Sequence, residues 1–373
     1  MKIGVLLREI GNQKDAPGII VLNLLDQLLE LDRDNQYVLF YKDRAFFYRY
    51  DRYPNVSKFL IHSSSKLVWD QVLVPLAAKK AKIDLLFSPK HSLPLLGNYP
   101  MVMHLRGSEY WTHPEYYEPL DLLYQKLMLP IFCRKASHLI VESNFVKRDF
   151  QRFLGIPSEK MTMIYLAPNE RFRPWSADAC EKVKRKYGLP DRFALTVTRI
   201  KQGKRVYPGK NLDKAIEAFL RARASREMAF VIVGVGTKDY VQEYCKQQSH
   251  RSDSLIALDY VAQEDLPAFY SLANLFLFPS SYESFGIPLA EAMACGCPII
   301  TSNTGACPEI VGAAGLTVNP HDVEALTDGI DRLTSDEDLR KHLQMQGFKE
   351  RQRFSWEKAA RETLRVFDHV RKL

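Results

Sequence analysis

Short apolar runs alternate with helical patterns in two successive series, and this alternation constrains the fold more than any other feature. The first series runs from Ile3–Leu7 to Thr162–Tyr165, and the second runs from Phe193–Thr198 to Leu316–Val318. Apolar strands separated by amphipathic helices predict a parallel sheet that is covered by helices on both faces. We therefore predict an α/β protein of two doubly wound, Rossmann-like domains that face each other across a cleft.

A stretch rich in turn-forming residues, 166–176, separates the two series and predicts a linker. The chain of 373 residues is also too long for one ordinary core. We place an N-terminal domain at residues 1–170 and a C-terminal domain at 177–354, and a last helical pattern follows at 355–372.

One segment of the second domain, Glu283–Glu291, carries the strongest indication of a ligand. It follows an apolar run at 275–278 and leads into a helical pattern that stops at Gly296. A strand, a turn with a glycine and a helix aim backbone N–H groups and the positive end of a helix dipole at one point, which favours anions. The two carboxylates differ in place, since one precedes the helix and the other lies one to two turns inside it. A polyol that carries phosphate would use both features.

Two cations lie at corresponding positions of the same domain. Arg199 follows its first strand, and Lys210 opens the next helix. Arginine binds a diphosphate in a bidentate manner and lysine binds it as a point charge. Since ligands of such sheets bind at the carboxyl ends of the strands, these groups and the loop containing Val261 predict one nucleotide site with a charged diphosphate.

Each of these residues also has a simpler interpretation. Arg199 and Lys210 could be surface ion-pair partners, and Glu291 could interact favourably with the positive end of the dipole of its own helix. His104, near the end of a strand in the first series, could be a core histidine. Gly18 begins the first helix, where a strand–helix turn meets a phosphate in nucleotide-binding domains, but a lone glycine is weak evidence. The occurrence of all these features in this order favours the site.

The net charge of +8 is concentrated in residues 40–106, which hold 11 Lys and Arg against 4 Asp and Glu. This segment mixes basic and aromatic residues, most densely at 44–53, and we expect either peripheral membrane contact through residues 42–106 or a solvated face with buried rings. Nucleic acid is not expected, because no binding motif accompanies the charge. The N-terminal apolar run is too short for a signal peptide, so we expect a cytoplasmic protein, peripheral at the inner membrane face if that contact forms.

The six cysteines are scattered, which suits reduced thiols. A metal cluster of Cys295, Cys297 and Cys307 is the less favoured interpretation, since no fourth cysteine is near. The sequence Asp32-Arg33-Asp34 spells a metal-binding motif but lies away from the strand carboxyl ends, and we interpret it as a solvated turn. We expect neither a metal nor another cofactor.

The motif residues resemble those of the retaining glycosyltransferases of family 4, which have the GT-B fold. The resemblance lies in the Glu-x7-Glu motif Glu283–Glu291 with its internal Phe-Gly, in Lys210-Asn-Leu, and in the segments 292–300 and 305–311. It implies metal-independent transfer of a hexosyl unit, with retention, from a UDP- or GDP-linked donor to a glycan or lipid-linked acceptor. It also implies that the first domain binds the acceptor, that the second binds the donor, and that the helix 355–373 packs back onto the first.

The resemblance implies a role for each matching residue. Arg199 and Lys210 would hold the diphosphate, Val261 would contact the nucleobase through its backbone, and Glu283 would bind sugar hydroxyls. The backbone of Phe285, Gly286 and Ile287 would approach the sugar and phosphate, and Glu291 would bind the ribose. His104 would lie near the donor sugar, and Gly18 would pass close to the diphosphate.

The chain departs from the family pattern at three places. Thr198 stands where a glycine is usual, His104-Leu105 replaces the usual His-Asp, and extra residues separate Arg199 from Lys210. The extra segment makes Lys204 and Arg205 alternative diphosphate contacts.

Two other functions fit the same scaffold. A nucleotide-sugar epimerase would need acid and base side chains that face the sugar from the first domain, and the Glu-x7-Glu motif argues against it. A nucleotide-sugar-binding protein without catalytic activity is the other alternative, and turnover on any acceptor would exclude it.

Overall fold

The computed structural model describes residues 1–11, 16–198, 200–201, 205–206, 208–248 and 253–372. It divides into two compact units. The first unit comprises Met1–Leu166 and Ser355–Leu373, and the second comprises Ala167–Phe354. Each unit has a hydrophobic core of its own.

The first unit is a seven-stranded parallel sheet with helices. Its strands lie in the order β3-β2-β1-β4-β5-β6-β7. They are β1 (Lys2–Leu7), β2 (Gln36–Tyr41), β3 (Val56–Leu60), β4 (Leu85–Ser88), β5 (Met101–Leu105), β6 (His138–Val141) and β7 (Met161–Met163). The helices of this stretch are α1 (Ala16–Leu31), α2 (Lys66–Val68), α3 (Val74–Ala81), α4 (Glu109–Thr112), α5 (Pro119–Lys135) and α6 (Asn144–Leu154).

The apolar runs of the first series become buried strands because both faces of the sheet are covered. All residues of β4, β5 and β6 are buried, including the predicted strands Met101–Leu105 and His138–Val141. The predicted cap of α6 also forms, since the Ser143 hydroxyl accepts a hydrogen bond from the Val146 N–H at 3.2 Å. Sequence pattern therefore locates these elements to within a few residues.

Two predicted helices of the first unit differ in detail. The helix expected at Leu67–Ala81 is interrupted by a π-helical turn, Trp69–Leu73, between α2 and α3. The helix expected over 115–135 begins only at Pro119, because Glu118 is extended (φ −65°, ψ 142°). A residue before proline avoids the helical region, which explains the later start.

The second unit is a six-stranded parallel sheet in the order β12-β11-β8-β13-β14-β15. Its strands are β8 (Phe193–Val197), β11 (Ala229–Val233), β12 (Leu255–Leu258), β13 (Leu275–Phe278), β14 (Ile299–Ser302) and β15 (Gly315–Val318), and a separate antiparallel pair comprises β9 (Ile200–Lys201) and β10 (Arg205–Val206). The helices are α7 (Ala177–Tyr187), α8 (Leu212–Arg221), α9 (Thr237–Gln248), α10 (Leu266–Leu272), α11 (Ile287–Cys295), α12 (Cys307–Val311), α13 (Val323–Ser335) and α14 (Glu337–Glu350).

Sequence reasoning missed the helix α7 and the antiparallel pair. The signals for α7 are present, because Ser176 caps its start with a side-chain hydrogen bond and Gly188 ends it with φ of 63°. The antiparallel pair lies in the extra segment after β8, where the family pattern gives no guide.

The last helix, α15 (Trp356–Arg371), belongs to the first unit, where it packs against α1 and where Phe367 contacts Phe87 edge-on at 5.3 Å between ring centroids. Among the described residues, no helix combines the length and the apolar character that a membrane crossing requires.

The interpretation of Asp32-Arg33-Asp34 as a solvated turn is wrong for its first residue. Asp32 is buried and accepts hydrogen bonds from the Tyr37 hydroxyl at 2.6 Å and the Asn35 side chain at 2.7 Å. Burial acts to raise the pKa of this carboxyl, but the hydrogen bonds from Tyr37 and Asn35 outweigh it, so the pKa lies below its ordinary value. Asp32 therefore fixes the connection between α1 and β2.

Candidate functional site

The centre of the site in the second unit is an ion pair between Lys210 and Glu283. Lys210 ends a short 3₁₀ turn before α8, and Glu283 lies in the loop between β13 and α11. The Lys210 ammonium donates a hydrogen bond to Glu283 Oε1 and lies 5.0 Å from the centroid of the Phe278 ring. The side chains are 25% and 13% exposed, so the pair is largely enclosed but open to a ligand.

Backbone and amide hydrogen bonds hold the two loops together. The Ser281 N–H and the Ser280 hydroxyl both donate to the Gly209 carbonyl, at 2.7 and 2.9 Å. Asn211, which adopts φ of 48°, donates from its side chain to the Pro279 carbonyl at 3.0 Å and to the Ser281 hydroxyl at 2.7 Å. Sequence reasoning did not assign a role to Asn211 or Ser281, although both fix the distance between the ion-pair partners.

A glycine supports Glu283 from the other side. The Ala306 N–H donates to the Glu283 carbonyl at 2.9 Å, and Gly305 has φ of 63°. A Cβ atom at Gly305 would lie 2.9 Å from the Glu283 nitrogen, which is too close. Only glycine fits there without displacing Glu283.

The helix α11 begins directly beside the ion pair. Gly286 precedes it with φ of 92°, and no side chain caps its first turn. Pro288 has no N–H, and the Leu289 N–H donates to the Gly286 carbonyl at 2.9 Å, so this turn attracts an anion mainly through the positive end of the helix dipole. Phe285 is buried and contacts Phe354 edge-on at 5.3 Å, which anchors the turn. The backbone of Phe285, Gly286 and Ile287 thus lies at the start of this helix as the sequence predicted, and its contact with a sugar and phosphate stays a prediction.

Glu291 lies on the same helix, partly buried, and accepts a hydrogen bond from the Tyr270 hydroxyl at 3.1 Å. Burial raises the pKa of the Glu291 carboxyl to about 8, although the hydrogen bond from Tyr270 acts to lower it. Tyr270 is itself buried and contacts Phe172 and Phe276 edge-on. It is therefore a rigid partner for Glu291. The segment 266–273, which contains it, resembles the family's base-binding segment, but sequence reasoning assigned no role to Tyr270 itself.

Val261 lies after β12, at the same carboxyl edge of the sheet. The adjacent Ala262 N–H donates to the Tyr187 hydroxyl at 3.3 Å, and that hydroxyl donates to Asp265 at 2.8 Å. The order β12-β11-β8-β13 places three strand spacings, roughly 14 Å, between the ends of β12 and β13. Val261 and Glu283 therefore lie in loops that follow strands three spacings apart at one edge of the sheet.

His104 and Gly18 belong to the first unit. His104 is the penultimate residue of β5, and its Nε2 lies 3.6 Å from Oε2 of Glu142, which follows the neighbouring strand β6. Burial, with the positive charge of Arg106, lowers the pKa of His104 well below its ordinary value, so the imidazole is neutral near pH 7. Sequence reasoning missed Glu142, whose position directly after a strand was the available signal. Gly18 is buried within the first turn of α1.

Arg199 and Lys204 lie outside the described residues, so the second predicted diphosphate cation has no structural account. Arg205 lies in β10. The structure thus brings Lys210, Glu283 and the turn at Phe285–Ile287 into one cluster, with Glu291 on the adjoining helix.

Comparison with known protein families gives two matches that together span most of the chain. The family described as glycosyl transferases group 1 matches residues 194–350, and the family described as glycosyltransferase family 4 matches residues 18–168. The first match contains the cluster of the second unit, and the other contains His104.

Two relatives of known activity come from Escherichia coli. The O-antigen chain mannosyltransferase B is 29% identical over 261 residues, which cover 69% of this chain and 67% of that protein. The serotype-specific mannosyltransferase WbdA is 29% identical over 234 residues, which cover 61% of this chain. The matched region spans only 28% of the length of WbdA.

Solved structures resemble the whole chain. Anabaena Alr3699/HepE, in complex with UDP and glucose, has a TM-score of 0.76 at 21% identity and covers 99% of this chain and 100% of its own. WaaG, a glycosyltransferase involved in lipopolysaccharide biosynthesis, has a TM-score of 0.73 at 14% identity and covers 98% of this chain and 99% of its own. At these identities the resemblance concerns the fold.

Proposed function

From the premise that the chain is a group 1, family 4 glycosyltransferase with the GT-B fold, we propose that it transfers a hexosyl unit, with retention, from a UDP- or GDP-linked donor to a glycan or lipid-linked acceptor. The observation that carries the proposal is the Lys210–Glu283 pair beside the uncapped start of α11. This cluster offers a cation and the positive end of a helix dipole for a diphosphate, and a carboxylate for sugar hydroxyls.

The bond to be broken joins the anomeric carbon of the sugar to the diphosphate. Positive charge gathers on the sugar and negative charge on the leaving phosphate in the transition state. Lys210 and the positive end of α11 stabilise the leaving phosphate electrostatically, so in this proposal no metal is required. Glu283 accepts hydrogen bonds from the sugar hydroxyls, and Arg199 remains the predicted second cation, with Lys204 and Arg205 as alternatives.

The rest of the donor would extend along the same edge of the sheet. The backbone at Val261 would contact the nucleobase, and Glu291 would accept hydrogen bonds from the ribose. The UDP complex of the Anabaena protein supports a UDP-linked donor, and the mannosyltransferase relatives support a hexosyl group without naming a base, so the proposal keeps UDP and GDP.

The first unit would bind the acceptor. The O-antigen and lipopolysaccharide enzymes among the similar proteins favour a glycan acceptor of polysaccharide or glycolipid biosynthesis. His104 would contact the donor sugar as a neutral imidazole, and Gly18 would pass close to the diphosphate.

A thermal-shift screen over sugar nucleotides tests the proposal and names the donor. A ligand at 100 times its Kd stabilises a folded protein by about 2.7 kcal/mol, which gives a measurable shift in Tm. The comparisons do not favour the epimerase alternative. Incubation with labelled donor and no acceptor separates the two activities, because an epimerase converts the donor whereas a transferase hydrolyses it slowly.

Donor affinity is expected to depend on pH through Glu291. The ribose hydroxyls donate hydrogen bonds, so they favour the ionised carboxylate, while the free protein holds the pKa of Glu291 at about 8. The Kd of the sugar nucleotide should therefore fall as pH rises through that value. The Tyr270→Phe variant loses a hydrogen bond that acts to lower the pKa of Glu291. Its Kd for the sugar nucleotide should therefore be several-fold higher at neutral pH, and the decrease in Kd should occur at a higher pH than in the unaltered protein.

Calorimetric titration of both proteins between pH about 6 and about 9 measures this dependence. Tyr244→Phe, at a partly buried tyrosine of α9, is the matched control and should follow the unaltered protein. An unchanged pH profile in Tyr270→Phe would show that Tyr270 only fills space.

A further inference from the structure

A buried carboxylate, Glu142, lies against His104 at the carboxyl edge of the first sheet. His104 belongs to β5 and Glu142 directly follows β6, and these neighbouring strands pair in parallel with Leu105 opposite Val141. Both side chains are nearly inaccessible, at 3% and 4% exposure. Burying a carboxylate is costly unless a cation or a hydrogen-bond donor accompanies it. The nearby imidazole is such a donor when its facing nitrogen carries a proton.

The distance between the two side chains fits a hydrogen bond that is not yet closed. The His104 Nε2 lies 3.6 Å from the Glu142 Oε2, slightly beyond hydrogen-bond length. Within the described part of the chain, this buried Nε2 has no other hydrogen-bond partner. Hydrogen bonds of catalytic groups are often long in a protein without substrate and shorten in the complex. A small rotation of either side chain therefore completes the contact.

Two positive features favour the ionised form of Glu142. It precedes Ser143, which caps the start of α6, so it lies at the positive end of a helix of 11 residues. Arg106 follows Leu105 just as Glu142 follows the paired Val141, and this places its positive charge at the same edge of the sheet. Nearby positive charge stabilises an ionised carboxylate.

The charge of Glu142 determines which nitrogen of His104 carries the proton. An ionised carboxylate only accepts hydrogen bonds, so the Nε2 that faces it must hold the ring proton. Because burial and the charge of Arg106 lower the pKa of His104, the imidazole is neutral and its Nδ1 keeps a lone pair. The neighbouring His91 has the opposite arrangement, since its Nε2 accepts from the Arg106 N–H at 2.5 Å.

We propose that Glu142 is a positioning residue of the transferase, which holds the proton of His104 on Nε2 so that Nδ1 accepts a hydrogen bond from a hydroxyl of the donor sugar. The inference rests on the proposed function, in which His104 contacts that sugar. Leu105, where the family pattern has aspartate, is buried and apolar. The carboxylate beside this histidine therefore comes from the neighbouring strand.

Glu142→Gln should reverse the arrangement at nearly constant size. The glutamine amide can donate to Nε2, which moves the ring proton to Nδ1 and leaves the sugar hydroxyl without its acceptor. We expect kcat with the sugar nucleotide identified by thermal shift to fall about 10- to 100-fold, the cost of one hydrogen bond to a buried group. The Kd for UDP and GDP should be unchanged. Glu142→Asp keeps the charge and should retain several-fold more activity than Glu142→Gln.

A double-mutant cycle shows whether Glu142 acts through the imidazole. In the His104→Ala background, Glu142→Gln should change kcat less than about 2-fold, because no ring remains to be oriented. Additive losses would overturn the proposal. Glu159→Gln removes an exposed carboxylate of the same unit and is the matched control, with kinetics expected to equal those of the unaltered protein.

Nitrogen NMR of protein with isotope-labelled histidine measures the tautomer without any catalysis. The resonances of His104 are those missing from His104→Ala. The proton should reside on Nε2 in the unaltered protein and on Nδ1 in Glu142→Gln. A proton on Nδ1 of the unaltered protein would overturn the proposal even if Glu142→Gln fails to fold, which circular dichroism would reveal. Absence of sugar transfer with the expected tautomer would instead contradict the proposed function.

Discussion

Replacing Lys210 with alanine is expected to lower kcat/KM for sugar transfer about 100- to 1,000-fold, which is the usual cost of removing one group that stabilises developing charge. The ammonium is the one cation that the described part of the site places beside both Glu283 and the start of α11. Its loss leaves the leaving diphosphate with only the helix dipole and the predicted second cation, Arg199, to stabilise it. Steady-state kinetics with the donor found by thermal shift measure the effect.

Lys214→Ala is the matched control for this variant. Lys214 lies on the same helix, α8, is 43% exposed and pairs with Glu217 at 3.3 Å. Its loss should leave kcat/KM within about 2-fold, since surface ion pairs contribute little. Turnover of Lys210→Ala close to that of the control would remove Lys210 from the proposed chemistry.

Glu283→Gln is expected to lower kcat/KM roughly 10- to 100-fold, the equivalent of one charged hydrogen bond or slightly more. The substitution keeps the size of the side chain but removes the charge that pairs with Lys210 and accepts from sugar hydroxyls. Affinity for the nucleoside diphosphate without its sugar should not fall, because the diphosphate contacts Lys210 and the helix start in this proposal. Calorimetry with nucleoside diphosphate and kinetics with the sugar nucleotide separate these two effects.

Glu337→Gln provides the comparison, because Glu337 is an exposed carboxylate on α14 that pairs with Lys341 at 2.7 Å. An equal loss of affinity for nucleoside diphosphate and sugar nucleotide in Glu283→Gln would contradict a role in sugar recognition and would indicate a structural role for the ion pair.

The strand–turn–helix at the centre of the site was predictable because its signals are local. The apolar run Leu275–Phe278 gives β13, and Gly286 and Gly296, both at positive φ, bound α11 as the pattern required. The alternation of strands and helices likewise predicted two parallel sheets, since burial on both faces imposes continuous apolar runs.

The contact between Lys210 and Glu283 could not be derived from such patterns. The two residues are 73 positions apart, and they meet because β13 lies beside β8 in the sheet order. Local sequence does not specify which strands become neighbours, so the strand-end rule could place these residues at one edge of the sheet but could not pair them.

Supporting residues escaped prediction for a related reason. Tyr270 lies among the apolar and aromatic residues of a short helix. A buried aromatic residue at such a position does not indicate from sequence that its hydroxyl donates a hydrogen bond to Glu291. Glu142 follows an ordinary buried strand, and its partner His104 stands on the neighbouring strand. Such roles depend on which side chain faces which loop, a property of the packed structure.

The most direct test of the central claim is to follow the anomeric proton of the sugar by NMR while the protein acts on an α-linked sugar nucleotide with a hexoside acceptor. The account predicts release of nucleoside diphosphate and an α-linked product, with both slowed about 100-fold or more in Lys210→Ala. An epimerised donor, or a β-linked product, would contradict it.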